Sequence, residues 1–425
     1  MPPTKILVNG AGISGSVLAF FLAKHSPKFS ITVLERSRAN QKLGQGLEIE
    51  EPALTVVKAM EIMDQLQQLR TGELGFRLVD KRARSRGYVG VNQGFSPTGA
   101  LELMRGDLTE ILYKAADAFE NVNYRFESTV KSMVETEKEK GKVVVEIQKR
   151  GEENVSTEEF DLVVGADGVR STTRQMVMGD SRDWYKPLGA YVAYFSIPKE
   201  DRDWPDSKAC HFTNRRFMWL RPTGEHSKQT SAYLIHMNNN VPALHEANAT
   251  GDRAKQKQAL ADLFSNCGWE SKRVIEQMLK ADNFYSDEIV QIKLPTWSKG
   301  RVALLGDAAW APTPFTGQGN QLAIIGAWVL AQEISRDSST IAFEKYEKRL
   351  REYVEECQQI PLGGYMPALV VPETRLGIWL FRTVFSIMAW FIKLTQRKKP
   401  AAGSGKVDKP FDLQMDKLES KGLGQ

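Results

Sequence analysis

Apolar and polar positions along the 425-residue chain follow two regimes, buried strands alternating with helices and then a long stretch of short β-like runs. Lys5 to Asn9 carries a short apolar run with the length and content of a buried parallel strand. Ser16 to Lys24 reads as a helix packed on it, and Ile31 to Leu34 as the second strand of a βαβ unit. Pro52 to Leu69 has helical periodicity, with Pro52 near the helix start, where a missing N–H costs little. Residues 73–103 read as strands and turns, and Leu108 to Ala118 as a helix. Val143 to Ile147 alternates and predicts a strand whose partner lies around Thr129 to Val134. Phe160 to Val164 is again a buried strand.

From about 184 to 297 aromatic and β-branched residues recur in short runs, Tyr191 to Ile197, Phe217 to Leu220 and Ser231 to His236. They predict an antiparallel sheet, followed by a helix over Arg253 to Asn266. Val302 to Leu305 returns to the buried-strand pattern, and a helix runs on through Glu333. The first domain is therefore interrupted by a second and completed afterwards. The expected boundaries are 1–75, 106–183 and 298–375 for the first domain, with 76–105 and 184–297 forming the second. Residues 376–400 form an apolar C-terminal helix and 401–425 a mobile tail.

Composition excludes more than it identifies. An apolar share of 42% with 26% charged residues is ordinary for a globular protein, and the length favours two joined domains. The net charge of +5 sits partly in Arg397-Lys398-Lys399, and no basic stretch interleaved with aromatics marks a nucleic-acid groove. The three cysteines and five histidines are scattered without metal-ligand spacing, so no metal is expected. The N-terminus shows no secretory pattern, which points to the cytoplasm and makes the sequons at Asn154 and Asn248 incidental. Residues 376–394 are long enough to span a bilayer, but Arg382 lies inside them. Packing on the protein or on a dimer partner, contact with a membrane surface, and a true span all stay open for this segment. The chain is expected to be a monomer or a homodimer.

Three segments carry the chemistry. Gly10-Ala11-Gly12-Ile13-Ser14-Gly15 follows a strand and opens a helix. Gly10 suits the tight turn, Gly12 lets the backbone approach a pyrophosphate, and Gly15 lets the helix sit on the strand. Ser14 belongs to the same loop, and Glu35, at the end of the second strand, is placed to accept ribose hydroxyls. Arg36 beside it either caps the adenosine side or is solvated. Gly165 to Ser171, with Asp167, is the second segment. Gly306-Asp307 with Pro314-Phe315-Thr316-Gly317-Gln318-Gly319-Asn320 is the third. In this order and separation they specify FAD.

With these motifs the chain resembles the FAD-dependent aromatic hydroxylases of the para-hydroxybenzoate hydroxylase family, the group A flavoprotein monooxygenases. The likeness is greatest to the branch of tetracycline-degrading and fungal secondary-metabolite monooxygenases. It implies an α/β fold in which a Rossmann-type, glutathione-reductase-like (GR2) FAD domain is interrupted by a mixed or antiparallel β-sheet substrate domain, with C-terminal helices. It also implies that Asp167 lies by the FAD pyrophosphate and that Asp307 holds the ribityl hydroxyls. Pro314, Gly317, Gly319 and Asn320 would lie against the flavin ring, Gly46 and Leu47 along a second flavin-facing loop, and Arg105 beside the pyrophosphate. The following helix would aim its positive end at the anionic reduced flavin. Arg174 can fix the loop after Asp167. Two departures stand out: Ile325-Gly326-Ala327 lacks the acidic residue that the family often carries there, and Asn40-Gln41-Lys42 replaces a frequent arginine.

The activity the resemblance implies is insertion of one oxygen atom from O2, through a flavin C4a-hydroperoxide, into an aromatic or polycyclic substrate. NADPH or NADH serves as electron donor, and no second GxGxxG offers it a separate domain. Activating a phenol needs a base or a cation near its hydroxyl. Tyr194, Arg221 and His236, on the sheet expected over the flavin, are the candidates, with Trp219, Tyr233 and Phe315 as apolar lining. The alternative is a flavin reductase without oxygen insertion. A prenyl-protein escort on the same fold is remote, because it has no use for Asp307 and Pro314 to Asn320.

Overall fold

The computed structural model describes residues 2–38, 45–91, 93, 96, 97, 99, 101–136, 141–179, 182–238, 241–360, 369–395 and 411–415. The Asn40 to Lys42 departure, the Arg397 to Lys399 cluster and most of the expected tail lie outside these residues. The chain opens with β1 (Thr4–Asn9), α1 (Ile13–His25), β2 (Phe29–Glu35) and β3 (Gly46–Glu48). The single helix expected over 52–69 is two, α2 (Ala53–Ala59) and α3 (Met63–Gln68). Glu61 between them takes a left-handed φ of 61°, and Lys24 reaches over to the Ala59 carbonyl at 2.9 Å, closing α2. Then come β4 (Gly75–Val79), β5 (Ser85–Gly90), β6 (Glu102–Met104), α4 (Arg105–Asp117), β7 (Val122–Phe126), β8 (Ser128–Glu135), β9 (Val143–Lys149), β10 (Val155–Phe160), β11 (Leu162–Gly165) and α5 (Thr172–Met178).

The second half runs through β12 (Tyr185–Pro198), β13 (Ser207–Phe212), β14 (Arg216–Pro222), β15 (Gln229–His236), α6 (Pro242–Thr250), α7 (Arg253–Phe264) and α8 (Ser271–Lys280). It closes with β16 (Tyr285–Ile292), β17 (Ser298–Lys299), β18 (Val302–Leu304), α9 (Asp307–Trp310), α10 (Gly319–Arg336), α11 (Ile341–Cys357) and α12 (Arg375–Thr395).

Two large sheets organise these elements. The first has the order β17-β18-β11-β1-β2-β7 and is parallel apart from β17. Its inner strands β18, β11, β1 and β2 read as mostly apolar runs because helices cover them, and most residues of α1 and α10 are buried. The second sheet is mixed, β16-β12-β15-β14-β13-β4-β5, with β13 and β4 parallel. One face packs under α6 to α8. The other carries Tyr194, Trp219 and Tyr233 and meets both Phe315 and the inner side of α12. A short ribbon, β3 against β6, bonds Tyr233 of the second sheet and Asn320 at the start of α10.

The tail departs from expectation. Residues 411–415 dock rather than wander: Leu413 is buried, and its carbonyl accepts the Trp328 indole N–H at 3.1 Å. An apolar leucine and a satisfied indole outweigh the cost of ordering so short a piece.

Candidate active site

Backbone geometry explains the first glycine motif. Gly10 adopts φ +121°, and a Cβ there would sit 2.4 Å from the Ala166 carbonyl oxygen, so only glycine fits between β1 and β11. A Cβ on Gly15 would lie 1.9 Å from the Gly10 carbonyl oxygen, which is how α1 comes so close to its strand. Gly12 is different, since a Cβ there would meet nothing within 4 Å. The loop is open at the residue meant to face a ligand. Glu35 accepts the Ala11 N–H at 3.1 Å and the Ser37 N–H at 2.8 Å, so its carboxylate is held at the rim of the glycine turn. Arg36 is exposed and lines a cleft of about 640 Å³ with Lys131, Lys149, Arg150 and Arg253.

Asp167 organises the second motif. It accepts from Ser171 Oγ at 2.5 Å and from the Thr173 N–H at 3.0 Å, while Ser171 caps α5 by accepting the Arg174 N–H. Arg174 is fully buried, with no carboxylate partner among the described residues. It donates to the carbonyls of Ala308 at 2.8 Å and Val169 at 2.6 Å, and to the Tyr185 hydroxyl. One side chain thereby ties the second motif to the third.

In the third motif Gly306 takes φ +65° with its α-carbon face against Ser14, joining the first motif to the third. Burial raises the Asp307 carboxyl above its usual range, and Arg105 opposes that shift, so the two side chains share one electrostatic neighbourhood. Thr313 is held at φ 120°, a strained value for a β-branched residue, just ahead of the Pro314–Thr316 turn. Gly317 then turns left-handed at φ +67° and Gly319 starts α10. The Asn320 and Gln321 side-chain amides both donate to the Glu48 carbonyl, locking β3 beside this turn.

The wall opposite is aromatic. Tyr194 and Tyr233 meet edge to face at 4.9 Å, and the Tyr233 hydroxyl accepts the Gly46 N–H at 2.7 Å. The Arg221 guanidinium stacks 4.3 Å from the Trp219 ring. It is not a free cation awaiting a phenolate, because Glu73 and Glu102 already flank it. Burial raises the carboxyls of Glu73 and Glu102, and it pushes that of Glu48 up to about 7. Sequence reasoning passed over these three glutamates. They come from separate segments, and only Glu48, within Glu48-Ile49-Glu50-Glu51, offered even an acidic run to notice.

His236 does not join this wall. Arg221 pairs across the sheet with Ser231, five residues before His236, and side chains alternate along a strand. His236 therefore points to the opposite face, beside Tyr191 and under the helices. Burial, reinforced by Arg216, lowers its pKa to about 4. Among the described residues, no group of His, Cys, Asp and Glu has the arrangement of a metal site.

The cradle fits FAD. Both α1 and α10 begin without a side-chain cap or an acidic residue in the first turn, which leaves backbone N–H groups for an anionic ligand. Gly10 to Gly15, Glu35, Asp167, Arg105, Asp307 and Gly317 to Asn320 are the residues that would hold it.

A profile of the family described as FAD binding domain matches residues 3–362. The monooxygenase CTB7 of Cercospora beticola is 38% identical over 397 residues, covering 91% of this chain and 92% of that protein. The flavin-dependent monooxygenase eupH of Phoma sp is 31% identical, covering 96% and 98%. Among solved structures, the tetracycline destructase Tet(55) is 29% identical with a TM-score of 0.72, covering 92% of this chain and 97% of its own. The chain belongs to the FAD-dependent monooxygenases. It is an oxidoreductase, a flavoprotein acting on a small molecule.

Proposed function

We propose that this monooxygenase draws electrons from NADPH or NADH and places one atom of O2 on an aromatic or polycyclic compound of secondary metabolism, in the cytoplasm. One observation carries the substrate class: Phe315 of the third motif packs in the same apolar cluster as Tyr194, Trp219 and Tyr233. Flat aromatic side chains on one side and the Pro314 to Gly319 turn on the other suit a planar ring system. Likeness to a tetracycline destructase and to fungal monooxygenases supports the same class.

Bound FAD supplies the electron transfer and the oxygen activation. The chain's own residues orient the substrate and manage its proton. In this reading Tyr194 and Trp219 hold the ring. Glu48, partly accessible and poised near neutrality by burial, accepts the proton of a substrate hydroxyl. Arg221 holds Glu102 and Glu73 in place behind it.

The same proposal has α12 lie on a membrane surface rather than pass through it. Its mean hydropathy of 1.4 would suit a span. However, Arg382 donates to the His211 carbonyl at 3.1 Å, and Phe385 is buried against the sheet.

The visible spectrum of the purified chain in air, during NADPH addition with phenolic polyketides and indoles, tests this function. Bleaching and NADPH consumption that accelerate with one compound class, with loss of oxygen, are expected. Turnover that proceeds equally without oxygen would favour the reductase reading, and a protein that takes up no FAD would end both.

A further inference from the structure

Beside the N-terminal half of α12 lies a cavity of about 480 Å³ that the flavin chemistry does not use. Lys81, Arg86, Arg216, Arg375 and Arg382 line it, and among the described residues no Asp or Glu does. Arg86 pairs with Asp80 at 2.5 Å. Arg216 and Arg382 spend their donors on neutral groups, the carbonyls of Thr213 and Leu263 and that of His211. The Arg382 Nε–H, shut away from solvent, has no acceptor. Among the described residues no carboxylate pairs with Lys81, Arg216, Arg375 or Arg382. Lys81 and Arg375 reach solvent while Arg216 and Arg382 are half-buried, and like charges gathered around one concave space repel each other. An anion resolves the arrangement.

The helix above this cavity has a wet-side face that is apolar. Trp379 and Trp390 are each 61% exposed, with Ile387 at 60% and Phe391 at 59%. Arg375 begins the helix, Lys393 lies near its end, and α12 contains no acidic residue. Amphipathic tryptophans with flanking cations are the pattern of a helix lying at a lipid interface. Trp379 belongs to both features, lining the cavity and standing on the exposed face.

We propose that this cavity binds the phosphate of an anionic phospholipid whose acyl chains run along the exposed face of α12. This rests on the reading of α12 as a surface-lying helix and adds a headgroup site to it. A second copy of the chain is the poorer occupant, since a twofold contact through α12 would bring identical cation clusters together. A lipid surface offers apolar chains and negative charge at the required separation.

Flotation of the FAD-loaded full chain with vesicles tests the assignment. The probes are phosphatidylcholine vesicles and phosphatidylcholine vesicles containing phosphatidylserine. Stronger binding to the anionic vesicles is expected. Lys81→Glu and Arg375→Glu should each weaken that binding by at least roughly fivefold, while Lys348→Glu, exposed on α11 of the first domain, should not. Trp379→Ser with Trp390→Ser should abolish binding to both vesicles. Equal binding of the unaltered chain to both vesicles would overturn the headgroup site while leaving surface contact intact. So would Lys348→Glu costing as much as Lys81→Glu. No binding to either vesicle, with a dimer in light scattering that Trp379→Ser disperses, would overturn both readings.

Discussion

Glu48 stands directly across the β3–β6 ribbon from Glu102, so the two carboxyls share one face of a two-stranded pair. Like charges in that position repel, and here the repulsion is relieved by Arg221 and by protons. The Glu48 carboxyl is raised from about 4.5 to about 7 by burial, with Glu50 adding to the shift and Arg221 opposing it. A folded-state value above the unfolded one means that the native chain holds the proton longer. The resulting stability is complete below about pH 4.5, declines as pH rises to about 7 and is level beyond. Glu48→Gln should flatten this slope, as read by urea midpoints at about pH 5 and about pH 8. If Glu48 takes the substrate proton, the same variant also loses the rising limb of kcat/KM near neutrality while FAD content is unchanged.

Arg221→Met should be among the most damaging changes in the substrate domain. It strands Glu73 and Glu102 without their cation, at a cost of about 3–5 kcal/mol. Converting both glutamates to glutamine in the same chain should recover most of the loss. Thermal melts of the single and triple variants check the coupling.

Gly10→Ala forces a Cβ into the Ala166 carbonyl at a φ of +121°. The expected result is a chain that retains little or no FAD, measured as the ratio of absorbance at the flavin band to that of the protein. Gly12→Ala meets no protein atom within 4 Å, so its fold should survive and its FAD affinity alone should fall.

Arg174→Met removes the donor shared by the Ala308 and Val169 carbonyls and the Tyr185 hydroxyl. About 3 kcal/mol of stability should go with it, by the usual worth of charged hydrogen bonds in a buried site. Heating should then release flavin fluorescence well below the melting point of the unaltered chain.

His236→Asn should leave kcat/KM within about twofold, because the sheet separates that side chain from the aromatic wall. Tyr194→Ala, on the near face, should raise KM for the aromatic substrate. Steady-state kinetics with one substrate distinguishes the two faces.

The glycine motifs were legible in the sequence because each is local, a strand, a turn and a helix start within a dozen residues. The strands carrying Arg221 and His236 were legible as well. Which face each residue takes was not, since that depends on a register set by neighbouring strands. The Glu48, Glu73, Glu102 and Arg221 cluster is further from view, being assembled from four segments whose contacts exist only after the sheets meet. The docking of α12 through Phe385 and Arg382 was hidden for another reason. Its apolar residues surround the helix, so periodicity alone could not tell a packed side from an open one.

The first sheet places β18 beyond β11, and β11 beside β1, so strands as far apart in the chain as Thr4–Asn9 and Val302–Leu304 meet in one sheet. The nucleotide cradle begun by the first fifteen residues is completed only when Asp307 and the start of α10 arrive. During synthesis roughly three hundred residues must leave the ribosome before the cofactor finds its whole site. Nascent chains cut short anywhere in the substrate domain would accumulate without flavin, exposing the edge of an unfinished parallel sheet.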